Sequence, residues 1–368
     1  MTLTVEVQHE RWLGAEAGAW DALVAAAGID PLFNGGLWQT LWWRCHGARL
    51  GAALHVYVVR DGADLVAVLP TFRRTVRVQS LFAVTRVEVL GSCLYGDGCV
   101  FSEYLDAAVR PGYAQAAADV LAEHLGRARD WGEFVCANTP TDSWLATQLA
   151  PRLVAGGSHQ RASAETRAWG VPLAAGADVW KAQLTGPVRR KVFGVRKRLV
   201  RPQLQILDAA GLQGVLALLD RFHQARWGKP HFVGEVGMLY RRLLAARPEL
   251  ARPSLLLHDG QPVSALFDLV VGGREYNVQS GFALEAVPGV SLGYLHLGYA
   301  IEAAAGLGVS HFDLLGGAGK QRNYKQDIAT ATGAMRVVHV VRSAPLARLY
   351  RWWDARASAH AQVAVGDE

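Results

Sequence analysis

The sequence predicts an α/β (α+β) protein of two domains, each a mixed, mostly antiparallel sheet flanked by helices. Three observations carry this. The chain has 368 residues, more than one hydrophobic core usually organises. Short stretches that alternate apolar and polar residues are joined by Asp61-Gly62, Asp259-Gly260 and Gly272-Gly273, dipeptides suited to the tight turns of hairpins. Each half then runs through a Pro-Gly pair, an apolar helical stretch and a further strand in one order, so a helical crossover returns the chain to its sheet.

In the first half, residues 53–59 and 64–72 form the hairpin around Asp61-Gly62, and short strands continue to Val100. Pro111-Gly112 opens a helix to about Arg129, with Ala117, Val120, Leu121 and Leu125 at helical spacing. Residues 131–137 read as the next strand, ending at Asn138-Thr139-Pro140. A boundary near Val171-Pro172-Leu173 divides the chain into domains 1–170 and 171–368. The second domain opens with a helix over 187–199 that carries Arg189, Arg190, Lys191, Arg196, Lys197 and Arg198, with Arg201 just beyond, against apolar Val188, Val192, Val195 and Leu199. An amphipathic helix follows over 212–227, then strands at 254–257, 263–271 and 275–280. Residues 291–306 form a helix with Tyr294, Leu297, Ile301 and Ala305 on one side, and 310–315 a strand beside the hairpin. A strand at 335–342 and a helix from Pro345 bearing Trp352 and Trp353 close the chain.

Composition narrows the function. Hydrophobic residues make up 51% and charged residues 19%, as in packed rather than disordered proteins. No apolar run is long enough to span a bilayer, and the start of the chain, with Glu6 and Glu10, lacks the pattern of a signal peptide. A cytoplasmic protein with no membrane partner is expected. Cys45, Cys93, Cys99 and Cys136 fall in no Cys-x-x-Cys pair and the twelve histidines in no metal-binding motif, so buried thiols and no metal are expected. The net charge of +6 suits an anionic ligand or RNA, although abundant arginine alone produces it.

The most informative stretch is Pro288-Gly289-Val290-Ser291-Leu292-Gly293, leading into the 291–306 helix. A glycine-punctuated turn opening a helix gathers free backbone N–H groups and the positive end of the helix dipole, a ready site for phosphate. After the strand His311-Phe312-Asp313-Leu314-Leu315 comes Gly316-Gly317-Ala318-Gly319-Lys320, then Arg322 and Tyr324-Lys325. This order resembles the acyl-CoA site of GNAT-type acyltransferases, specifically the CelD-like group (Acetyltransf_6). Pro31-Leu32-Phe33 with Leu41-Trp42-Trp43, residues 65–70, 101–106 before Pro111-Gly112, the cationic 189–199 stretch, and Phe222-His223 with Trp227 are similar to that group as well. One departure stands out. The GNAT pyrophosphate loop is Gln/Arg-x-x-Gly-x-Gly/Ala, whereas Val290-Ser291-Leu292-Gly293-Tyr294-Leu295 matches neither its first nor its last position. By fold the group also resembles the FemAB-type transferases, which pass amino acids from aminoacyl-tRNA.

The resemblance implies two tandem GNAT-like domains and direct attack of an amine or hydroxyl on an acyl-CoA thioester, with no covalent enzyme intermediate; the sequence shows no Gly-x-Ser-x-Gly elbow. The acceptor would be a sugar-derived or natural-product small molecule held between the domains, with the first domain shaping its site and binding no cofactor. Gly289, Val290, Ser291, Leu292 and Gly293 are the candidates for pyrophosphate, with Ser291 as a plain helix cap the alternative. Lys320, Arg322 and Lys325 are candidates for phosphate or, equally, solvated loop cations. Asp313, at the carboxyl end of its strand, His223 and Tyr324 are candidates for proton transfer; capping the Gly316-Gly317 turn is the rival for Asp313, and partial exposure on a helix the rival for His223. Trp227, Asp268, Tyr276 and Gln279 are candidates for substrate contact, though alternation along the hairpin keeps them from all facing one way. The cationic 189–201 stretch reads as a solvated face, a contact for the 3′-phosphate of CoA, or a grip on tRNA. Aminoacyl-tRNA as donor, and a non-catalytic accessory module, remain the alternatives.

Overall fold

The computed structural model describes residues 2–78, 82–92, 94, 98–284, 286–316 and 324–365, with side chains as far as residue 356. The chain divides into two compact units, one comprising Met1–Glu165 with Met335–Glu368 and the other Thr166–Ala334.

The first unit contains β1 (Leu3–Gln8), α1 (Glu10–Ala15), α2 (Ala17–Ala27), α3 (Gly36–His46), β2 (Ala53–Asp61), β3 (Asp64–Val78), β4 (Phe82–Val89), β5 (Ala108–Val109), α4 (Ala114–Arg127), β6 (Glu133–Pro140), α5 (Ala150–Ala155) and β7 (His159–Gln160). Its sheet runs β1-β2-β3-β4-β6. The first four strands pair antiparallel, and α4 carries the chain over to β6, which lies parallel to β4 from Arg86–Glu133 to Glu88–Val135. Residues 65–72 of β3 are buried on both sides of the strand, which is why they read as a continuous apolar run. Trp42 of α3 stacks on Phe72 with ring centroids 5.7 Å apart. Cys45, Cys99 and Cys136 are buried thiols, and Cys93 lies outside the described residues.

The C-terminal segment departs from the expected division at residue 170. β14 (Ala331–Val341) and α12 (Ala344–Val365) carry residues 335–368, which belong to the first unit. The open edge of β6 explains this. Residues 335–341 satisfy it with an antiparallel ladder from Met335–Pro140 to Val341–Glu133, and β7 pairs in turn with Val340 and Val341. α12 is then held by Tyr350, which donates to Glu133, and by Asp354, which pairs with Arg161 at 2.5 Å.

The second unit repeats the plan. It comprises β8 (Thr166–Pro172), α6 (Ala177–Gln183), α7 (Gly186–Arg189), β9 (Gln203–Ile206), α8 (Leu212–Trp227), α9 (Gly234–Ala246), β10 (Ala251–His258), β11 (Gln261–Val271), β12 (Arg274–Phe282), α10 (Leu292–Gly306), β13 (His311–Leu315) and α11 (Tyr324–Ile328). Its sheet order is β8-β13-β12-β11-β10-β9. The β10-β11-β12 meander turns at Asp259-Gly260 and Gly272-Gly273, where all four residues have positive φ, as the twist-matched two-residue hairpin turn requires. α10 is the crossover to β13, which lies parallel to β12. Among the described residues of the chain, no helix is long and apolar enough to cross a membrane.

The expected cationic helix over 187–199 is three different turns. α7 gives way to a wide turn over Arg190–Gly194, closed by the Val195 amide on the Arg190 carbonyl at 3.1 Å, and then to a tight turn over Arg196–Arg198. The widening drives Val192 down onto α10, where it is fully buried. Only glycine fits opposite it: a Cβ on Gly298 would lie 2.2 Å from Val192 Cγ1. Gly298→Ala is therefore expected to lower stability by about 1–3 kcal/mol, the overpacking cost exceeding alanine's helical advantage. Adding Val192→Ala should recover part of that loss in a double-mutant cycle read by urea denaturation. Additive effects of the two substitutions would refute the close approach.

Candidate functional site

The site begins where two parallel strands part. β12 and β13 pair only at Arg274–His311, Glu275–Phe312 and Tyr276–Asp313, after which β12 continues to Phe282 while β13 ends at Leu315. Leu315 has a φ of +62°, and the buried Asp313 carboxylate accepts its amide at 2.6 Å while pairing with Arg274 at 2.5 Å. Asp313 thus sits as the pin of the fork. Beyond it, residues 278–283 are half-buried although their strand is central in the sheet, as expected of a groove along the edge β13 has left.

A bulge arranges what faces this groove. Opposite β11, Asp268 pairs with Asn277 but Phe267 with Gln279, so Val278 is an extra residue. Asn277 and Ser280, three apart, thereby come to the same face as Asp268. The hydroxyl of Ser280 donates to Asn277 Oδ1 at 2.8 Å, and Asn277 Nδ2 donates to Asp268 Oδ1 at 2.6 Å. Tyr324, at the start of α11, makes a hydrogen bond with Ser280. Burial raises the pKa of its phenol, outweighing the Ser280 bond and the positive charge of Arg226, so Tyr324 keeps its proton at neutral pH. At the other end, burial and the neighbouring Glu275 raise Asp268 well above the usual carboxylate range. Burial also raises Glu275, against the opposing charge of Arg252, whose guanidinium lies 2.5 Å from it.

The first turn of α10 closes the far end of the groove. Val287-Pro288-Gly289-Val290 is a tight turn with Gly289 at φ +69° and the Val290 amide on the Val287 carbonyl at 3.2 Å, so Val290 spends its N–H within the turn. Ser291 is the N-cap residue and its side chain makes no capping bond. Among the described residues no side chain therefore caps the amides of Leu292 and Gly293, at the positive end of a 15-residue helix. Gly293 lies against Phe282, whose ring would be 3.3 Å from an added Cβ. From the cationic segment, Arg198 donates to the Gly289 carbonyl at 3.2 Å, bringing a guanidinium to this turn. Lys191 lies 4.5 Å from the Tyr294 ring centroid, and Tyr294 packs edge-on against Tyr324 at 6.3 Å.

The other candidates separate. Tyr276 and Gln279 share the face opposite to Asp268, so the sheet does not bring the three together. Lys325 donates to the Gly316 carbonyl at 2.5 Å and so holds the end of β13. Lys320 and Arg322 lie outside the described residues. On α8, Nδ1 of His223 bonds the Lys229 carbonyl at 2.6 Å and must carry the proton there, leaving Nε2 as an acceptor in the neutral ring. Trp227 is 43% exposed at the end of the same helix. The remaining cations of the 189–201 stretch serve the protein in part: Arg189 bonds carbonyls at the end of α6, Arg196 pairs with Glu302, and Arg201 with Asp259. Sequence reasoning did not single out Asn277, Ser280 or Arg226, because a bulge gives no local signal. Nor did it mark His296 of α10. Its ring is fully buried between Ser254 Oγ, 3.1 Å from Nε2, and Ser264 Oγ, 2.9 Å from Nδ1. Ser264 donates onward to the Gly281 carbonyl at 2.9 Å, so this line ties α10 to the end of β12. Among the described residues no group of three or more His, Cys, Asp and Glu converges as metal ligands would.

Residues 188–326 match the family model Acetyltransf_6, described as an acetyltransferase (GNAT) domain. No curated protein matches the chain in sequence. Among solved structures, FemX is similar over 95% of this chain and 99% of its own at 13% identity, with a TM-score of 0.59. The C-terminal domain of a putative lysylphosphatidylglycerol synthetase from Agrobacterium fabrum is similar over 94% and 96% at 10% identity, TM-score 0.52. The structure of L-PGS from Bacillus licheniformis is similar over 92% and 95% at 9% identity, TM-score 0.52. Identities this low show a common fold.

Burial lowers His296 to a pKa of about 3 from an ordinary 6.5, so between those values the folded state binds fewer protons there than the unfolded one. Stability from this residue is full above pH 6.5 and falls as the pH drops, by at most about 1.4 kcal/mol per unit. The raised Glu275 and Asp268 work in the opposite sense, so the test is a difference. A His296→Gln variant should lose less stability than the wild type between pH 7 and 5 in urea titrations, and parallel curves would refute the assignment.

Proposed function

We propose that the GNAT acetyltransferase domain of residues 188–326 transfers an acyl group, acetyl in the simplest case, from acyl-CoA to an amine or hydroxyl of a small molecule in the cytoplasm. The observation that carries this reading is the fork of β12 from β13 with the uncapped first turn of α10 at its far end. CoA has both features the fork would take. Its amide-bearing pantetheine arm can pair with the edge of β12 beyond its three pairs with β13, as an added strand would. Its pyrophosphate suits the amides of Leu292 and Gly293 and the helix dipole, with Arg198 beside Gly289 supplying a cation. The thioester would then lie near Ser280 and Tyr324. Attack by the acceptor expels a thiolate, and the protonated Tyr324 phenol is placed to give that thiolate a proton. His223, with Nε2 as acceptor, is a candidate to take the proton of the attacking amine.

The first unit supports this division of labour because its own fork is filled. Ser92 Oγ accepts the Ala137 amide at 2.6 Å, and the Ser102 hydroxyl, bonded by Trp38 Nε1 at 2.9 Å, lies 2.8 Å from where a Cβ on Gly91 would be. The first unit on this reading binds no acyl donor and contributes to acceptor selection.

A second donor, aminoacyl-tRNA, draws on the similarity in fold to FemX over nearly the whole chain. The cationic segment supports it weakly, since Arg189, Arg196 and Arg201 are engaged within the protein. Calorimetric titration with acetyl-CoA separates the two. Micromolar binding is expected, weakened at least tenfold in Ser291→Glu, where an exposed side chain sets a carboxylate beside the pyrophosphate without disturbing Phe282. Absence of binding by the folded wild type would reject acyl-CoA. Once turnover is measurable, Tyr324→Phe should lower kcat about 10²–10⁴-fold with little change in donor affinity.

A further inference from the structure

The first unit holds a cavity of about 610 Å³ that no part of the acyl-transfer reading uses. It exists because β4 starts before its neighbour does. Pairing with β6 begins at Arg86–Glu133, preceded by the Gly132 amide on the Thr85 carbonyl at 2.8 Å. Residues 82–84 therefore have β3 on one side and, among the described residues, no strand on the other. The first turns of α12 cover that space without filling it. Phe82, Val84, Trp131, Leu346 and Leu349 form the walls, with Phe82 49% exposed. Gly132 lets the floor close, because a Cβ there would lie 2.7 Å from Val84 Cγ1. Apolar side chains left around an open cavity of this size suit a small molecule with an apolar body.

The charges at its mouth are unequal. Asp130, the one carboxylate in the lining, pairs with Arg73. Arg342 donates to the carbonyls of Ala128 and Gly126 and lies 5.1 Å from the Trp131 ring centroid. Arg129 also lines the cavity and is exposed, and among the described residues it makes no ion pair and no hydrogen bond. Its charge reaches Arg342, whose pKa is lowered by burial first and by Arg129 next. Three guanidinium groups thus stand near one carboxylate, and the one without a partner borders the apolar walls. A guanidinium edge forms paired bonds to a carboxylate. The Ser343 hydroxyl, also at the cavity, already accepts the Leu346 amide at 3.2 Å, so the selection for an anion rests on the arginines.

We propose that this cavity binds a small amphipathic anion, with an aliphatic or aromatic body among Phe82, Val84, Leu346 and Leu349 and a terminal carboxylate on Arg129. The inference goes beyond the acyl-transfer reading and does not depend on it, since every lining residue belongs to the first unit. A cation would meet the surplus positive charge, and an uncharged ligand would gain nothing from Arg129.

Calorimetric titration of the full-length protein with octanoate, phenylbutyrate, phenylbutyramide and phenylbutylamine tests this. Saturable binding of at least one carboxylate is expected, with phenylbutyrate bound about tenfold or more tighter than its amide or the amine. Arg129→Ala should remove that preference, and Phe82→Ser should weaken carboxylate binding about fivefold or more. Both residues are exposed, and urea unfolding checks that each variant folds. No binding of either carboxylate, equal binding of the amide, or tighter binding of the amine would overturn the inference. So would a carboxylate held equally well by both variants, which would place it elsewhere. A carboxylate that responds to Arg129→Ala alone would be a surface ion pair and would overturn it too. Self-association in sedimentation that Phe82→Ser abolishes, with no carboxylate bound, would give this face to a second copy of the chain instead.

Discussion

The limited pairing of β12 with β13 is the constraint on which the second unit depends. Parallel neighbours normally exchange bonds along their whole common length, and here the exchange stops after three residue pairs. Stopping it requires β13 to turn away sharply, and Leu315 does so in a left-handed conformation that a leucine adopts only under compensation. Asp313 supplies that compensation by accepting the Leu315 amide, and Arg274 neutralises it in the buried interior. A residue chosen from the sequence as a candidate for proton transfer is thus occupied in keeping the fork open.

Around the fork, polar groups divide by what burial does to them. His296 is held neutral between two serines and Asp268 is driven toward its protonated form, so both fix geometry without carrying charge. Asn277 stands between Ser280 and Asp268, and an amide does not readily pass a proton along a chain of hydrogen bonds. The line from Asp268 to Tyr324 is better understood as a brace that orients a phenol than as a proton wire. Charge stays at the rim, on Arg198 beside Gly289 and on Arg226 beside Phe282.

The two units show how one plan is kept and its use changed. Both build a three-stranded meander, a crossover helix and a parallel strand. In the first, chain from Ser102 to Asp106 enters the space beside β6: Asn138 Nδ2 donates to the Ser102 carbonyl at 3.2 Å and Thr139 Oγ1 to the Leu105 carbonyl at 2.6 Å.

The sequence by itself determined what depends on neighbours along the chain. Helical spacing located α8 at its true ends, Leu212 and Trp227, and the Asp-Gly and Gly-Gly pairs placed the hairpin turns, because periodicity and positive φ are local demands. The order of motifs from Pro288 to Lys325 was enough to suggest a GNAT domain of the group that residues 188–326 match. Tertiary structure decided the rest. Residues 335–341 joined the first unit because an edge of β6 needed bonds, a requirement invisible in their own composition. The cationic run broke into three turns because Val192 had to reach the space that Gly298 leaves. Ser280 came to face Tyr324, and Tyr276 and Gln279 to face away from Asp268, through one extra residue at Val278. A sheet alternates faces at every position, so a single bulge reassigns each side chain beyond it, and only the pairing of strands distant in sequence shows where that bulge lies.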